Sequence, residues 1–257
     1  MELAGELQLA RELADLADAI TLPPFAAREV TYDWKANQTE VTALDRGAEA
    51  AIAQRLAVDR PHHGLVGEEH GRSGDPDSPW QWIVDPIDGT SGYVRGIPVW
   101  ATLIALAHDG DVVVAVVSAP AMGRRWWASR GGGAFADGRA CHVSAVERVA
   151  DAQVSITLNA GWDDLGLTPA VVALAQEARR ARGFGDFWQH CLVAEGALDV
   201  AIDAVGVAPY DLAAVKLLVE EAGGTFTDRH GAVTHESDTA ISSNGRLHAE
   251  VIARLAG

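Results

Sequence analysis

The sequence predicts a mixed, layered α/β fold, and three observations support this fold class. Helical and strand-like segments alternate along the chain, one tight β-hairpin is present, and no internal repeat is found. The chain has 257 residues, of which 48% are hydrophobic and 22% charged, as in folded globular proteins. This length predicts one large domain or two packed subdomains, and the alternation of helices and strands favours a layered architecture over a bundle or a sandwich.

The first half contains two predicted helices and several strands. Met1 to Ile20 carries leucines at helical spacing but is broken by acidic residues, so it predicts an amphipathic helix and not a signal peptide. Thr42 is a competent N-cap for a second helix, which places Asp45 in its first turn. Apolar, strand-like runs follow at Leu65–Val66, Trp82–Val84, Ile97–Ala107 and Val112–Ala119. The last two flank His108 to Asp111, a short turn that contains glycine and predicts the hairpin.

The second half is predicted to contain three helices. Thr168 as N-cap, Pro169 and Gly183 bracket a helix of about four turns, whose end would carry Arg179, Arg180 and Arg182. Further helices are predicted near Cys191–Ile202 and over Asp211–Ala222, the second stopped by Gly223 and Gly224. The predicted strands are Arg125–Ser129, Thr225–Asp228 and Thr239–Ser242.

Charge and composition exclude several classes of function. Lys and Arg number 20 against 36 Asp and Glu, a formal charge of −16, which would repel nucleic acids and anionic membranes. The longest apolar run is shorter than the about 20 residues that span a bilayer. Cys141 and Cys191 form no C-x-x-C pair, so we expect reduced thiols in a cytoplasmic protein. Small ligands or cations are the expected partners.

The most informative motif is the run from Asp85 to Thr90, Asp-Pro-Ile-Asp-Gly-Thr, which follows an apolar strand. Its two carboxylates could face one cation, while Gly89 leaves backbone amides open to an anion. Asp-Pro and Asp-Gly steps are also common in plain turns. Glu68-Glu69 and Asp211 add acids at another strand end and at a helix start, which favours a site.

These motifs resemble those of the inositol monophosphatase-like family of Mg²⁺-dependent phosphatases, and the similarity covers nearly the whole chain. Within that family the chain is most similar to bacterial histidinol-phosphatases. The motifs that carry the resemblance are Lys35, Val41 to Asp45, Gly67 to Glu69, Asp85 to Thr90, Tyr93 to Leu103, Arg124 to Ala128, Gly185 to Phe187, Cys191 to Gly196 and Asp211 to Gly224. Three residues depart from the family pattern beside expected ligands: Asn37, Leu44 and Tyr210.

The resemblance implies a layered αβαβα sugar-phosphatase-like fold, a homodimer and two or three Mg²⁺ ions. It implies one phosphatase domain over residues 1–257, with possible subdomains 1–145 for metal and phosphate and 146–257 for the rest of the substrate. The resemblance also implies roles for single residues: Glu68, Asp85 and the Ile87 carbonyl would bind a first ion, and Asp85, Asp88 and Asp211 would bind a second. Asp45, Thr90 and Glu68 would orient the attacking water, and the Gly89 and Thr90 amides would bind the phosphate. Asp186 and Asp203 would contact the remainder of the substrate.

The substrate and two other functions stay open at this point. Carboxylates at Asp186 and Asp203 suit an ammonium or imidazole group, which favours histidinol phosphate, a histidine-biosynthesis intermediate, over inositol 1-phosphate. A non-catalytic acidic cation-binding protein would need the acids but not Asp45, Thr90 and Gly89 together. A nucleotide-dependent oxidoreductase would need the dinucleotide-binding motif G-x-G-x-x-G, which this sequence lacks. Trp100, Trp126 and Trp127 are interpreted as core residues.

Overall fold

The computed structural model describes residues 3–35 and 39–255, which divide into two compact units, Met1–Arg130 and Gly131–Gly257. Asn37, one of the departures from the family pattern, lies outside the described residues. The boundary between the units lies earlier in the chain than the suggested division at residues 145 and 146. Helices and strands alternate in both units, so the predicted mixed α/β class is confirmed.

The first unit combines two long helices with a twisted sheet. Its elements in chain order are α1 (Ala4–Ala27), β1 (Asp33–Trp34), β2 (Glu40–Val41), α2 (Ala43–Asp59), β3 (Gly64–Gly67), β4 (Gly71–Gly74), β5 (Trp80–Asp88), α3 (Thr90–Val94), β6 (Ala101–His108), β7 (Asp111–Ala119) and β8 (Arg124–Ser129). Six of the strands form a sheet in the order β4-β3-β5-β6-β7-β8, and β1 pairs with β2 separately.

Helices α1 and α2 cover one face of this sheet. Leu9 and Leu13 of α1 and Ile52 of α2 pack against alternate side chains of the strands, among them Trp82, Ile104 and Val116. Alternate residues of a strand point to one face, so this set defines a single apolar layer. The predicted amphipathic helix and the hairpin of β6 and β7 are both confirmed, with Asp109 and Gly110 at positive φ in the turn.

The pairing of β3 with β5 places the acidic motifs. These strands run parallel, with Gly67 opposite Val84, whereas β5 and β6 are antiparallel. The ladder between β5 and β6 shifts register between Asp85 and Asp88, at the end of β5. Because parallel strands end at the same edge of a sheet, the residues after Gly67 and after Val84 emerge side by side.

The second unit is a smaller sheet with helices on both faces. Its elements are β9 (Gly133–Ala136), β10 (Arg139–Ala140), β11 (Gln153–Ile156), α4 (Ala160–Asp164), α5 (Thr168–Glu177), β12 (Arg180–Arg182), α6 (Asp186–Ala194), β13 (Val200–Ile202), α7 (Pro209–Glu221), β14 (Thr225–Thr227), β15 (Ile241–Ser243) and α8 (His248–Leu255). Five strands form the sheet in the order β12-β11-β13-β15-β14, and β9 pairs with β10 as a hairpin.

The two faces of the second sheet differ in chemistry. Val154, Val200 and Ile241 share an apolar cluster with residues of α5 and α8. On the opposite face, Ser155 and Ser242 hydrogen-bond to side chains of α6. The alternation of apolar and hydroxyl side chains therefore assigns α6 to a polar, buried face.

Two helix predictions in this unit were wrong in extent. The helix that begins at Thr168 ends at Glu177, because Ala178 adopts an extended conformation and Arg180–Arg182 joins the sheet as edge strand β12. The arginines therefore do not end a helix. The helix predicted near Cys191–Ile202 starts earlier, at Asp186, and stops at Ala194, since Gly196 takes a positive φ and the β-branched residues of Val200–Ile202 form β13.

Other predictions for this unit hold, and some elements were missed. Helix α7 and strand β14 lie where the sequence predicted them, and β15 begins at Ile241 rather than at Thr239. Strand β11 and helix α8 were not predicted. No helix within residues 3–35 and 39–255 combines the length and the apolar character needed to cross a membrane.

Protonation of His248 is expected to weaken the fold below neutral pH. Its ring nitrogens lie 3.0 Å from Ser243 Oγ and 2.9 Å from Thr227 Oγ1, and burial lowers its pKa from 6.5 to about 4. Since the folded-state pKa is below the unfolded one, this contribution to stability is complete above pH 6.5 and is lost as the pH falls toward about 4.

Urea unfolding of the wild type and of His248→Gln across this pH window measures the effect. We expect the wild type to lose more free energy of unfolding than the variant, because in this window its unfolded chain binds a proton at His248 that the folded state does not bind. Parallel pH profiles for the two proteins would contradict the prediction.

Candidate active site

Asp85 and Asp88 lie at the end of β5 and present oxygens to a common point. Their side chains are buried, with relative exposures of 2% and 8% for the two residues, and a carboxylate oxygen of each lies within 4.8 Å of the other. The Ile87 amide donates to Asp85 Oδ1 at 2.9 Å, which fixes the turn between the two acids. Thr102 Oγ1 donates to the Pro86 carbonyl at 2.8 Å and anchors the same turn.

Asp45 is held in the first turn of α2 by a capping box. The Thr42 amide donates to Asp45 Oδ2 at 2.8 Å, the Thr42 hydroxyl donates to the same oxygen, and the Asp45 amide donates to Thr42 Oγ1. Burial raises the pKa of Asp45, and hydrogen bonds from Thr42 and Thr90 oppose this effect. The predicted N-cap and the position of Asp45 are both confirmed.

Thr90 connects the Asp45 carboxylate to the turn after β5. Its hydroxyl lies 2.8 Å from the Ile87 carbonyl oxygen and 3.1 Å from Asp45 Oδ1. A hydroxyl has one proton, so these two acceptors share a single donor. Gly89 precedes Thr90 with φ 82°, a left-handed conformation that favours glycine, and it starts the short helix α3.

Glu68 and Glu69 occupy the turn after β3 beside this edge. The Glu68 amide donates to the Val84 carbonyl at 3.2 Å, which continues the parallel ladder. Lys35 Nζ lies 2.8 Å from Glu68 Oε1 and also binds Glu69 Oε1. The two acids raise the pKa of Lys35 despite its partial burial, so its ammonium group is a fixed positive charge on this turn.

The donor set in the first unit fits a hard divalent cation. Glu68, Asp85, Asp88 and the Ile87 carbonyl offer only oxygen atoms, which Mg²⁺ prefers, and no His or Cys is among them. Glu68 already contacts one cation, the Lys35 ammonium group.

Asp211 lies in the second unit, in the first turn of α7. Its Oδ2 accepts a hydrogen bond from the Ala208 amide at 2.7 Å. The same arrangement of an aspartate and the N-cap amide three residues earlier occurs at Asp45 and Thr42. In both helices one carboxylate oxygen is used as a cap. Tyr210, the residue that departs from the family pattern here, lies within the same turn.

The second unit also holds both predicted substrate residues. Asp203 is 5% exposed, and its Oδ2 lies 3.0 Å from His190 Nε2, while His190 Nδ1 lies 2.8 Å from Ser242 Oγ. Asp186 begins α6 with φ 48°. Asp186 is exposed at the surface, and desolvation of its carboxyl group, followed by the charge of Asp203, raises its pKa to about 6.

Sequence reasoning missed two buried residues, one that contacts the predicted site residue Asp203 and one that contacts the residue after the predicted ligand Glu68. His190 pairs with Asp203, and Glu49 of α2 accepts hydrogen bonds from the backbone of the turn after β3. A histidine in a helix and an acid in an alanine-rich helix carry no sequence signal of their own. The available signal was spacing, because Glu49 follows Asp45 by four residues and so shares its helix face.

The tryptophans behave as the sequence analysis interprets them. Trp100 and Trp126 are fully buried. Trp127 packs against the core of the first unit, with the Arg11 guanidinium 4.6 Å from its ring. Leu44, another departure from the family pattern, packs against Ile87, Tyr93 and Trp100.

Comparison with known proteins gives the family. The sequence model described as the inositol monophosphatase family matches residues 4–257. The chain belongs to the inositol monophosphatase family. It is 47% identical over 255 residues to the histidinol-phosphatase of Mycobacterium tuberculosis, covering 97% of each chain. It is 43% identical over 260 residues to that of Streptomyces coelicolor, covering 97% of this chain and 96% of the relative.

Solved structures agree with this assignment. The extragenic suppressor protein suhB of Bartonella henselae matches with a TM-score of 0.90 and 28% identity, covering 98% of each chain. The protein is therefore a phosphoric monoester hydrolase with the fold of inositol monophosphatases. This finding excludes the two other classes, the non-catalytic cation-binding protein and the oxidoreductase.

The capping box at Thr42 generates a stability prediction. Thr42→Ala removes the hydroxyl that caps α2 and donates to Asp45, so we expect a loss of about 1 kcal/mol in the free energy of unfolding. Thr42→Ser keeps the hydroxyl and is expected to lose much less. Urea unfolding at neutral pH checks both variants, and an equal loss in the two would show that the threonine methyl group is responsible instead.

Proposed function

We propose that this phosphatase hydrolyses L-histidinol phosphate to L-histidinol and phosphate, as a step of histidine biosynthesis, with Mg²⁺ as cofactor. The observation that carries the substrate assignment is the full-length similarity to proteins named histidinol-phosphatase, at 47% and 43% identity. The two acids Asp186 and Asp203, placed at one end of α6 and after β13, support the same assignment.

The metal ligands are assigned to both units. Glu68, Asp85 and the Ile87 carbonyl would hold one ion, and Asp85, Asp88 and Asp211 a second; the family resemblance implies two or three ions in all. When bound, Mg²⁺ would neutralise phosphate oxygens, lower the pKa of a water molecule and stabilise the leaving alkoxide. The short distance between a carboxylate oxygen of Asp85 and one of Asp88 supports the assignment of both residues to the second ion.

Asp45 and Thr90 are assigned to the attacking water, with Glu68 nearby. Their mutual hydrogen bond holds the hydroxyl and the carboxylate in one place, so a water bound there would find an acceptor in Asp45. The amides of Gly89 and Thr90 are assigned to phosphate. Gly89 lacks a side chain that would cover them.

Asp186 and Asp203 are assigned to the part of the substrate that distinguishes one phosphomonoester from another. The metal and phosphate groups contact only what all such substrates share, so discrimination requires other residues. His190 already pairs with Asp203, whereas the pKa of Asp186 is raised by desolvation first and by the like charge of Asp203 second. A cationic substrate group would relieve that repulsion.

Three further features belong to the same proposal. The chain is expected to form one phosphatase domain from its two units, to assemble as a homodimer as the family resemblance implies, and to act in the cytoplasm. Both cysteines are buried, in keeping with reduced thiols.

Activity is expected to require Mg²⁺ and the Asp88 carboxylate. Asp88→Asn replaces a charged ligand by a neutral amide, which binds a hard cation more weakly, so turnover should be nearly abolished while the fold survives. Phosphate release with Mg²⁺, with excess chelator and in the variant measures this, and circular dichroism verifies folding. Full activity in chelator, or undiminished turnover of the folded variant, would refute the metal assignment.

The substrate assignment predicts a higher kcat/KM for L-histidinol phosphate than for inositol 1-phosphate. Asp186→Asn should narrow this preference by about 10- to 150-fold, the range of a charge-assisted hydrogen bond. Asparagine is the better replacement, since it tolerates the positive φ of Asp186 while alanine would be strained.

Asp164→Asn, at an exposed acid of α4, is the matched control and should leave both kcat/KM values unchanged. Equal kcat/KM values for the two substrates in the wild type would refute the substrate assignment but not the assignment of the protein as a phosphatase. An equal loss on both substrates in Asp186→Asn would remove Asp186 from substrate discrimination.

A further inference from the structure

Glu49 is a buried carboxylate to which the proposed function gives no role. It lies on α2 and is 1% exposed. Its Oε2 accepts from the Glu69 amide at 2.8 Å, its Oε1 accepts from the His70 amide at 2.8 Å, and His70 Nδ1 lies 3.1 Å from Oε1. Three contacts from one side chain to two consecutive residues fix the turn after β3 to α2.

The approach of this carboxylate to the backbone is close. A Cβ atom added at Gly67 would overlap the Glu49 carboxylate, so a larger residue at this position would have to displace that carboxylate. Asp45 lies four residues before Glu49 on the same helix face and binds Thr90. One face of α2 therefore contacts both the turn after β3 and the turn after β5.

We propose that Glu49 is a positioning residue for the metal site: it holds the Glu68-Glu69 turn so that Glu68 can bind Mg²⁺. The inference rests on the proposed function, in which Glu68 is a ligand. A buried carboxylate is costly unless it accepts strong hydrogen bonds, and the two backbone amides supply them. In metalloproteins, groups that orient a ligand typically change metal affinity by about 10- to 100-fold when mutated.

Glu49→Gln is the discriminating variant. In the wild type each of the two Glu49 carboxylate oxygens accepts a hydrogen bond from a backbone amide, but glutamine has one acceptor oxygen and one donor NH₂ group. One backbone N–H would therefore face another donor, and the turn would lose that contact. The side chain keeps its size, so the packing of α2 is retained.

Asp228→Asn provides the matched control in the second unit. Asp228 is also buried, and its Oδ1 accepts from the His230 and Ala232 amides, each at 2.8 Å. Both variants thus convert a turn-holding carboxylate to an amide. Because one oxygen of Asp228 accepts both amides, asparagine can keep both hydrogen bonds, so Asp228→Asn controls for the loss of a buried negative charge alone.

The experiment measures Mg²⁺ binding to the full chain by titration calorimetry without substrate, together with hydrogen exchange of the Glu69 and His70 amides. We expect the Kd for Mg²⁺ to rise about 10- to 100-fold in Glu49→Gln, with faster exchange of those two amides. Asp228→Asn should bind Mg²⁺ like the wild type.

A second variant, Gly67→Ala, displaces the Glu49 carboxylate without removing it and tests the same contact if Glu49→Gln fails to fold. It should weaken Mg²⁺ binding in the same direction. Unchanged Mg²⁺ affinity in a folded Glu49→Gln or Gly67→Ala protein, or equal weakening in Asp228→Asn, would overturn the positioning role. A wild type that binds no Mg²⁺ would instead refute the proposed function itself, and the positioning role with it.

Discussion

The parallel pairing of β3 with β5 is the constraint on which the first unit's site depends. With Gly67 opposite Val84, two acidic turns leave the same edge of the sheet as neighbours. A shift of one residue in this pairing would send Glu68 and Asp85 to opposite faces, because strand side chains alternate. The apolar layer under α1 and α2 fixes the register, since Trp82 and Val84 must face those helices.

Concentrating acids at one edge has an electrostatic cost that the structure offsets locally. Asp45 receives hydrogen bonds from Thr42 and Thr90, Asp85 receives the Ile87 amide, and Glu68 and Glu69 share the Lys35 ammonium group. Each of these four carboxylates thus has a neutral or positive donor before any cation arrives.

The sequence predicted the motifs well because each follows a strong local signal. Thr42 and Asp45 form a recognisable cap, and Asp85 to Thr90 follows an unbroken apolar strand. The predictions from sequence failed where strand pairing in the folded protein outweighs the local conformational preference of the residues. Arg180–Arg182 was predicted as the end of a helix, but it forms strand β12, which pairs in parallel with β11. His190 and Glu49 were missed because their partners, Asp203 and the Glu69 amide, come together only through folding.

The spacing of Asp45 and Glu49 on α2 restricts how this chain can change during evolution. A helix turns about 100° per residue, so inserting or deleting one residue between them would rotate one carboxylate away from its partner. Of the three intervening positions, Arg46 and Gly47 are exposed and can be substituted without disturbing either contact, whereas Ala48 is packed in the core. Insertions and deletions are therefore expected in the loops that follow α2 and not between Asp45 and Glu49, because the number of residues between them sets the spacing of their contacts with the turns after β3 and β5.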